Sequence, residues 1–156
     1  GGLPVGAFGG KKEIMEHIAP LGNVYQAGTL SGNPIAMIAG YTMLNELKNN
    51  PNIYTKLEET GSHLEKGLNT ILDNKKIPHR INRLGSMMSI FFCDHEVTNF
   101  ESASNTDVKT FNKFFHHMLD HEIYLPPSAY ESWFLSNALS EADIEKTLAA
   151  LESFKP

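Results

Sequence analysis

The chain has 156 residues, of which 41% are hydrophobic and 20% are charged, a composition typical of one globular domain or of a piece of a larger one. The formal net charge of -5 gives no electrostatic reason to expect nucleic acid or an anionic membrane as a partner, because either would need a cationic face. The longest mostly apolar stretch, IAMIAGYTML, is about half as long as a membrane-spanning helix requires, and we predict a soluble, cytoplasmic protein.

The first third of the chain is predicted as loops around one short helix, followed by a longer helix. Nine of the 12 glycines lie in residues 1–40, which favours loops there. The pattern over 11–18 predicts a short helix that stops before Pro20, because the residue preceding a proline is driven out of the helical conformation. After the loop LGNVYQAGTLSG, apolar residues recur at helical spacing from Pro34 onward, and Pro51 ends or kinks this helix.

The middle of the chain is predicted as a helix followed by a β-hairpin. Over 53–72, leucines and isoleucines recur at spacings that keep one helical face apolar. The segment HRINRLGSMMSIFFCDH then has apolar runs of strand length, with Gly85 at the bend. Met87 and Met88 are expected to pack in the core from this strand. Cys93 is expected to be a buried thiol, since a single cysteine forms no intramolecular disulfide.

The last third is predicted as two helices separated by two short strands. Helical spacing returns in SNTDVKTFNKFFHHMLDHE, where Ser104 and Asp107 are candidates to cap the start. EIYLPPS and SWFLSNAL are short strand candidates, and the final helix begins at SEAD with Ser140 as its cap and Asp143 three residues on. The resulting order predicts an α+β fold in which helices cover one face of a small, mainly antiparallel sheet.

The stretch YQAGTLSGNP is the strongest candidate for a binding site. Gly28 and Gly32 permit tight turns and close approach of a ligand, and Thr29 and Ser31 offer hydroxyl donors. Asn33 followed by proline is typical of a helix start, where unpaired N–H groups carry partial positive charge. These residues together suit a phosphate or another anion. The alternative is a capped helix after a tight turn, because the stretch is neither a P-loop nor a dinucleotide fingerprint.

Two histidines on one predicted helix are a weak candidate for a metal site. His117 and His121 are four residues apart, which places both on one helical face. No third ligand with a recognisable spacing accompanies them, so we expect no bound metal.

The segments GGLPVGAFGG and GNVYQAGTLSGNPIAM resemble the glutamate-1-semialdehyde 2,1-aminomutases, a family of pyridoxal-phosphate enzymes within the class III aminotransferases. The closing LPPSAYESWFLSNALSEADIEKTLAAL is similar to the C-terminal end of these enzymes, so the resemblance covers the whole chain. It implies the C-terminal portion of a fold type I (α/β) transferase. Residues 1–44 would be a remnant of the large cofactor-binding domain, with a strand, the phosphate-binding loop and a helix start, and 45–156 would be the small C-terminal domain.

The resemblance also implies a function for the full-length protein. That function is the isomerisation of (S)-4-amino-5-oxopentanoate, or glutamate 1-semialdehyde, to 5-aminolevulinate in tetrapyrrole (porphyrin) biosynthesis. The family enzymes work as cytoplasmic homodimers with pyridoxal 5'-phosphate or pyridoxamine 5'-phosphate as cofactor. The Schiff-base lysine of the family lies upstream of the first residue, so this fragment is expected to be inactive alone.

Individual residues acquire roles from the same resemblance. It implies that Thr29 reaches across the dimer to the cofactor phosphate held by the other subunit, with Gly28 and Ser31 beside it as cofactor-binding residues. Glu131 matches a family glutamate that approaches the active site, which makes it the catalytic candidate. Leu139 stands where many relatives have a histidine, so no role of that histidine is carried over.

Two alternatives stay open at this point. One is another class III aminotransferase, acting on ornithine or on an ω-amino acid. The other is a non-catalytic dimerisation or anion-binding module, which the missing lysine would fit if the chain were a complete gene product. Lys11 and Lys12 are not expected to replace the catalytic lysine, because they lie at the start of a helix where solvated charges are usual.

Overall fold

The computed structural model describes residues 3–156, which divide into two compact units, one ending at Pro51 and the other spanning Asn52–Pro156. Gly1 and Gly2, with which the expected large-domain remnant begins, lie outside the described residues. The expected boundary after residue 44 concerns the domains of a whole enzyme and stays a prediction. Within the described part of the chain, every helix is too short or too polar to cross a lipid bilayer.

The first helix of the first unit is much shorter than the sequence predicts. α1 is Lys12–Met15. After α1 the chain forms a tight turn, in which the His17 N–H donates to the carbonyl of Ile14, three residues earlier, at 3.2 Å. Ile18 then forms an isolated parallel bridge with Val24. Because a residue in this bridge cannot continue the helical hydrogen-bond ladder, the predicted extension of the helix to residue 18 is wrong.

The second helix of this unit, α2, is Pro34–Asn49. Its start follows from local chemistry, because the Asn33 side chain accepts from the N–H groups of Ile35 and Ala36 at 3.1 Å each. Proline occupies the first helical position, where it sacrifices no helical hydrogen bond. The predicted cap and the predicted end before Pro51 are both confirmed.

The second unit contains four helices and three strands. The helices are α3 (Asn52–Asn74), α4 (Phe100–Ser104), α5 (Val108–Asp120) and α6 (Glu141–Ser153), and the strands are β1 (Arg80–Leu84), β2 (Met87–Phe91) and β3 (Trp133–Phe134). Each strand pair is antiparallel, in the order β1-β2-β3. The structure thus has the predicted helices on a small antiparallel sheet.

The β1-β2 hairpin closes with a two-residue turn. Leu84 pairs with Met87, which leaves Gly85 and Ser86 between the strands. Gly85 has φ +61°, a conformation that glycine adopts without steric cost, and a glycine at the first turn position is typical of a tight hairpin. β3 then adds to the other edge of β2 through the pairs Met87–Phe134 and Met88–Trp133.

Several predicted elements in the last third are wrong. EIYLPPS forms no strand, and SWFLSNAL forms one only at Trp133–Phe134. Ser104 does not begin the second-last helix; it ends α4, an unpredicted helix. Asp107 does cap α5, accepting from the Thr110 N–H at 3.0 Å. Ser140 and Asp143 form the predicted reciprocal cap of α6.

One hydrophobic core joins the helices and the sheet of the second unit. Its fully buried members include Leu68, Leu72, Phe114, Met118 and Leu151. The two methionines of β2 differ: Met88 is 1% exposed, whereas Met87 is 40% exposed, so the prediction that both are buried is wrong for Met87. Successive strand residues face opposite sides of a sheet, so the side chains of these two adjacent methionines lie on opposite faces. Cys93 is buried, as predicted.

Candidate functional site

The donor-rich stretch before α2 folds into two overlapping turns. The Ser31 N–H donates to the carbonyl of Gly28 at 2.9 Å, and the Asn33 N–H donates to the carbonyl of Leu30 at 3.0 Å. Gly32 has φ +73°, which a turn with glycine in its third position requires. The structure therefore brings Gly28, Thr29 and Ser31 together in one exposed turn.

This turn is tight on one side and open on the other. A Cβ atom placed on Gly28 would lie 3.2 Å from the Ser31 hydroxyl oxygen, so a larger residue would crowd that hydroxyl. Among residues 3–156, no hydrogen bond uses the N–H groups of Gly28, Thr29 and Leu30 or the hydroxyls of Thr29 and Ser31. Neutral donors gathered on adjacent backbone in this way can bind an anion without a cationic side chain.

The start of α2 does not supply further donors, which corrects the sequence-based interpretation. Pro34 has no N–H, and Ile35 and Ala36 already donate to the Asn33 side chain. The next N–H, of Met37, donates to the Asn33 carbonyl at 2.9 Å. The helix is capped by its own sequence, so an anion at this place would be bound by the turn over 28–31.

Glu131 lies in the second unit, in a turn before β3. Its N–H donates to the carbonyl of Ser128 at 3.1 Å, and the Tyr130 N–H reaches the Ser128 hydroxyl at 3.2 Å. Glu131 is exposed, while its neighbours Ala129 and Trp133 are 6% and 5% exposed. The turn thus holds a solvated carboxylate between two buried anchors.

The strand that follows Glu131 is tied to the β1-β2 hairpin. Ser132 and Ser89 share a hydrogen bond between their hydroxyls at 2.9 Å. The Leu135 N–H donates to the carbonyl of Ser86 at 2.9 Å. The Trp133 ring stacks on Phe114, with ring centroids 6.2 Å apart. Hydrogen bonds and packing therefore both position the backbone next to the carboxylate.

Arg83 in turn fixes the hairpin tip to α3. Its guanidinium donates to the carbonyl of Gly85 at 2.9 Å, to Glu65 at 2.6 Å and to Glu58 at 2.8 Å. The hydrogen bonds to Glu58 and Glu65 raise the pKa of Arg83 further above its ordinary value, and the one to Glu58 lowers the pKa of that carboxyl. Planar recognition of two carboxylates is a property of arginine that lysine does not share.

Most of the other charged candidates have local partners. Lys11 and Lys12 are exposed, and Lys12 lies 3.5 Å from Glu16. His117 Nε2 donates to the Ala150 carbonyl at 2.8 Å, and His121 Nδ1 donates to the His117 carbonyl at 2.8 Å. A ring nitrogen that donates to a carbonyl has no lone pair for a metal, so only the second nitrogen of each ring is available as a ligand.

Sequence reasoning missed an aromatic contact to the Glu131 turn. Phe100 begins α4, and its ring centroid lies 5.8 Å from that of Tyr130. The signal for α4 was local: Asn99 and Ser102 cap each other reciprocally, a polar pair three residues apart. The contact with Tyr130 is distant in sequence and left no such signal.

Comparison with known proteins reveals a clear family likeness. The chain matches the family model described as Aminotransferase class-III over residues 1–153. A glutamate-1-semialdehyde 2,1-aminomutase from Thermus thermophilus is 54% identical over 151 residues, which cover 97% of this chain and 35% of that protein. The chain therefore spans a little over a third of the length of this relative.

Solved structures support the fold. The β-phenylalanine aminotransferase from Variovorax paradoxus superposes with a TM-score of 0.81 and 29% identity, over 93% of this chain and 33% of that one. A glutamate-1-semialdehyde-aminomutase from Pseudomonas aeruginosa PAO1, solved in complex with PMP, superposes with a TM-score of 0.69 and 20% identity, over 84% and 30%. The second likeness concerns the fold alone. Together they confirm the predicted fold class.

Proposed function

The chain belongs to the class-III aminotransferase family, and on that premise we propose that it is the C-terminal part of an enzyme that converts glutamate 1-semialdehyde to 5-aminolevulinate. The name of the Thermus relative supports this choice of substrate. The observation that carries the proposal is the exposed turn at Thr29, whose unpaired donors suit a cofactor phosphate. A cytoplasmic homodimer that serves tetrapyrrole synthesis is part of the proposal.

The proposed reaction is an isomerisation, in which an amino group and a carbonyl oxygen exchange places on neighbouring carbons. Substrate and product contain the same atoms, so no second amino donor or acceptor is consumed. Pyridoxamine or pyridoxal phosphate, when bound, supplies the amino group and the electron sink for this exchange. The protein's contribution is to bind, orient and assist proton transfer.

The turn over 28–31 would hold the cofactor phosphate of the partner subunit. The Thr29 hydroxyl and the adjacent N–H groups donate to phosphate oxygens, and the missing side chain at Gly28 leaves room for the Ser31 hydroxyl. Hydrogen bonds from neutral donors to a charged acceptor are stronger than those between neutral groups. This turn anchors the cofactor, and α2 is proposed to take no part in phosphate binding because its first N–H groups are already used.

Glu131 is proposed to act on the substrate. Its exposed carboxylate accepts an N–H hydrogen bond from a substrate amine, and this bond orients the amine. The carboxylate then takes up a proton from that amine. We propose that no lysine of this chain attaches the cofactor. The chain alone is accordingly proposed to be inactive.

The test is a comparison of Thr29→Ala and Thr29→Ser with wild type in the full-length enzyme. Loss of a hydrogen bond to a charged phosphate weakens binding by about 1.5–3 kcal/mol, roughly 10- to 150-fold in the dissociation constant of pyridoxamine phosphate. Thr29→Ser retains the hydroxyl and should retain the cofactor. Equal dissociation constants in all three proteins, measured by cofactor titration, would remove Thr29 from the site.

A second measurement separates the isomerase from an ordinary aminotransferase, the function in the name of the Variovorax neighbour. The isomerase converts glutamate 1-semialdehyde without an added 2-oxo acid. An aminotransferase turns over only when an amino acceptor is supplied. Product formation that depends on an added 2-oxo acid would overturn the proposed reaction.

A further inference from the structure

We propose that Phe100 is a positioning residue for Glu131, acting through the ring of Tyr130. This inference rests on the proposed function of Glu131. The planes of the two rings are inclined at 55°, with centroids 5.8 Å apart, a geometry in which aromatic rings attract each other. Tyr130 immediately precedes Glu131, so the ring pair joins α4 to the turn that carries the carboxylate.

The internal hydrogen bonds of the turn fix its shape and leave its orientation to other contacts. Both N–H groups described above, of Tyr130 and Glu131, donate to Ser128, which belongs to the same turn. On the inner side, buried Ala129 and Trp133 hold the turn to the core. On the outer side, the contact with Phe100 restrains Tyr130 and therefore the direction of the next residue.

Phe100 is itself held on an anchored helix. The Ser102 N–H donates to the Asn99 side chain at 2.9 Å, and the Asn99 N–H donates to the Ser102 hydroxyl at 3.1 Å. Ala103 of the same helix is buried in a small apolar cluster with Phe91, Cys93 and Val97. The five residues of α4 thus present the Phe100 ring from a fixed backbone.

Neither ring of the pair belongs to the core. Phe100 is 75% exposed and Tyr130 is 48% exposed. Removing the Phe100 ring therefore sacrifices little buried area, and its effect on the turn is separable from an effect on folding. A replacement of similar shape, Phe100→Tyr, retains the ring pair.

The first arm of the test measures backbone order in the 156-residue chain by ¹⁵N relaxation. Phe100→Ala should lower the heteronuclear NOE at the amides of Tyr130 and Glu131, while Phe100→Tyr should restore it. Tyr54→Ala is the matched control, because it also removes an exposed ring, 58% exposed, from the first turn of another helix. An unchanged NOE at Glu131 in Phe100→Ala would overturn the inference.

The second arm measures kcat and KM in the full-length enzyme. Phe100→Ala should lower kcat about two- to ten-fold, the range that corresponds to an aromatic pair, and Phe100→Tyr should recover it. In a Glu131→Gln background the same substitution should have no further effect, since the two residues act through one contact. An equal loss in both backgrounds would overturn the positioning role. If Glu131→Gln leaves kcat unchanged, the proposed role of Glu131 fails, whereas the relaxation result still decides the role of Phe100 in ordering the turn.

Discussion

Gly61 of α3 lies against the carbonyl oxygen of Gly85, so closely that a Cβ atom on Gly61 would be 2.6 Å from that oxygen. The same oxygen accepts a hydrogen bond from Arg83. Close backbone approach, permitted by the absent side chain, thus brings the hairpin tip within reach of an arginine that is paired with α3. The tip in turn accepts a hydrogen bond from the strand after Glu131 through Ser86.

We expect Gly61→Ala to destabilise the protein although alanine favours helices. The clash with backbone costs about 1–3 kcal/mol, as overpacking does, against a helical gain of about 0.5–1 kcal/mol. Gly40→Ala in α2 is the control, because its Cβ would make only an ordinary van der Waals contact with Val5, 3.8 Å away. Chemical denaturation followed by circular dichroism measures both. A Gly61→Ala protein at least as stable as Gly40→Ala would contradict the close approach.

Lys76→Gly should stabilise the protein by about 1 kcal/mol, because Lys76 has φ +57° after the last turn of α3, where left-handed backbone favours glycine. The Ile77 N–H donates to the Leu72 carbonyl at 3.0 Å, a bond that closes this helix end. Lys75→Gly should instead destabilise, since Lys75 donates to the carbonyls of Glu152 and Phe154. Calorimetric unfolding temperatures that fall for both variants would refute the assignment.

Stability should fall in acid through the capping carboxylates. Hydrogen bonds from Ser140 lower the pKa of Asp143 below its ordinary value of 3.8, and those from Thr110 lower the pKa of Asp107. A depressed folded pKa gives stability that is fully present above the unfolded pKa and is lost as the pH falls through the folded pKa. Unfolding free energy should therefore decline below about pH 4. In Asp143→Asn that decline should be shallower, and an unchanged slope would exclude Asp143 as a contributor.

The chain mixed with pyridoxal phosphate should form no stoichiometric adduct on a lysine. Lys11 and Lys12 are exposed, and Lys12 lies 3.5 Å from Glu16, so neither side chain is enclosed by residues that would hold a cofactor. Borohydride reduction followed by peptide mapping measures labelling. One fully labelled lysine in the segment before the Thr29 turn would show that the chain carries its own attachment site.

Local chemistry was predictable from the sequence, and distant pairing was not. The caps at Asn33 and Ser140 involve residues two or three positions away, so their spacing alone indicates them. β3 is a strand only where it reaches β2, and EIYLPPS has no such partner despite its residue types. The burial of Met88 and the exposure of Met87 likewise depend on which face of the sheet meets the core.

For the candidate site, the residue types at 28–31 were enough to predict a donor-rich turn, since glycine and hydroxyl residues act locally. Which donors stay unpaired depends on how Asn33 satisfies the start of α2, and only the folded chain shows that. Phe100 was missed because its partner Tyr130 lies on another element, brought near by the packing of the whole unit.

Trp133 is the single tryptophan in the sequence and lies two residues after Glu131. Its side chain is buried and stacks on Phe114. Its intrinsic fluorescence therefore comes from one known place and needs no label. When Trp133 is excited selectively, its emission should be that of an indole shielded from water. The emission maximum should shift to longer wavelength when β3 separates from the core. The protein thus carries its own optical reporter beside the carboxylate, suited to stopped-flow measurement of how fast that segment orders during refolding.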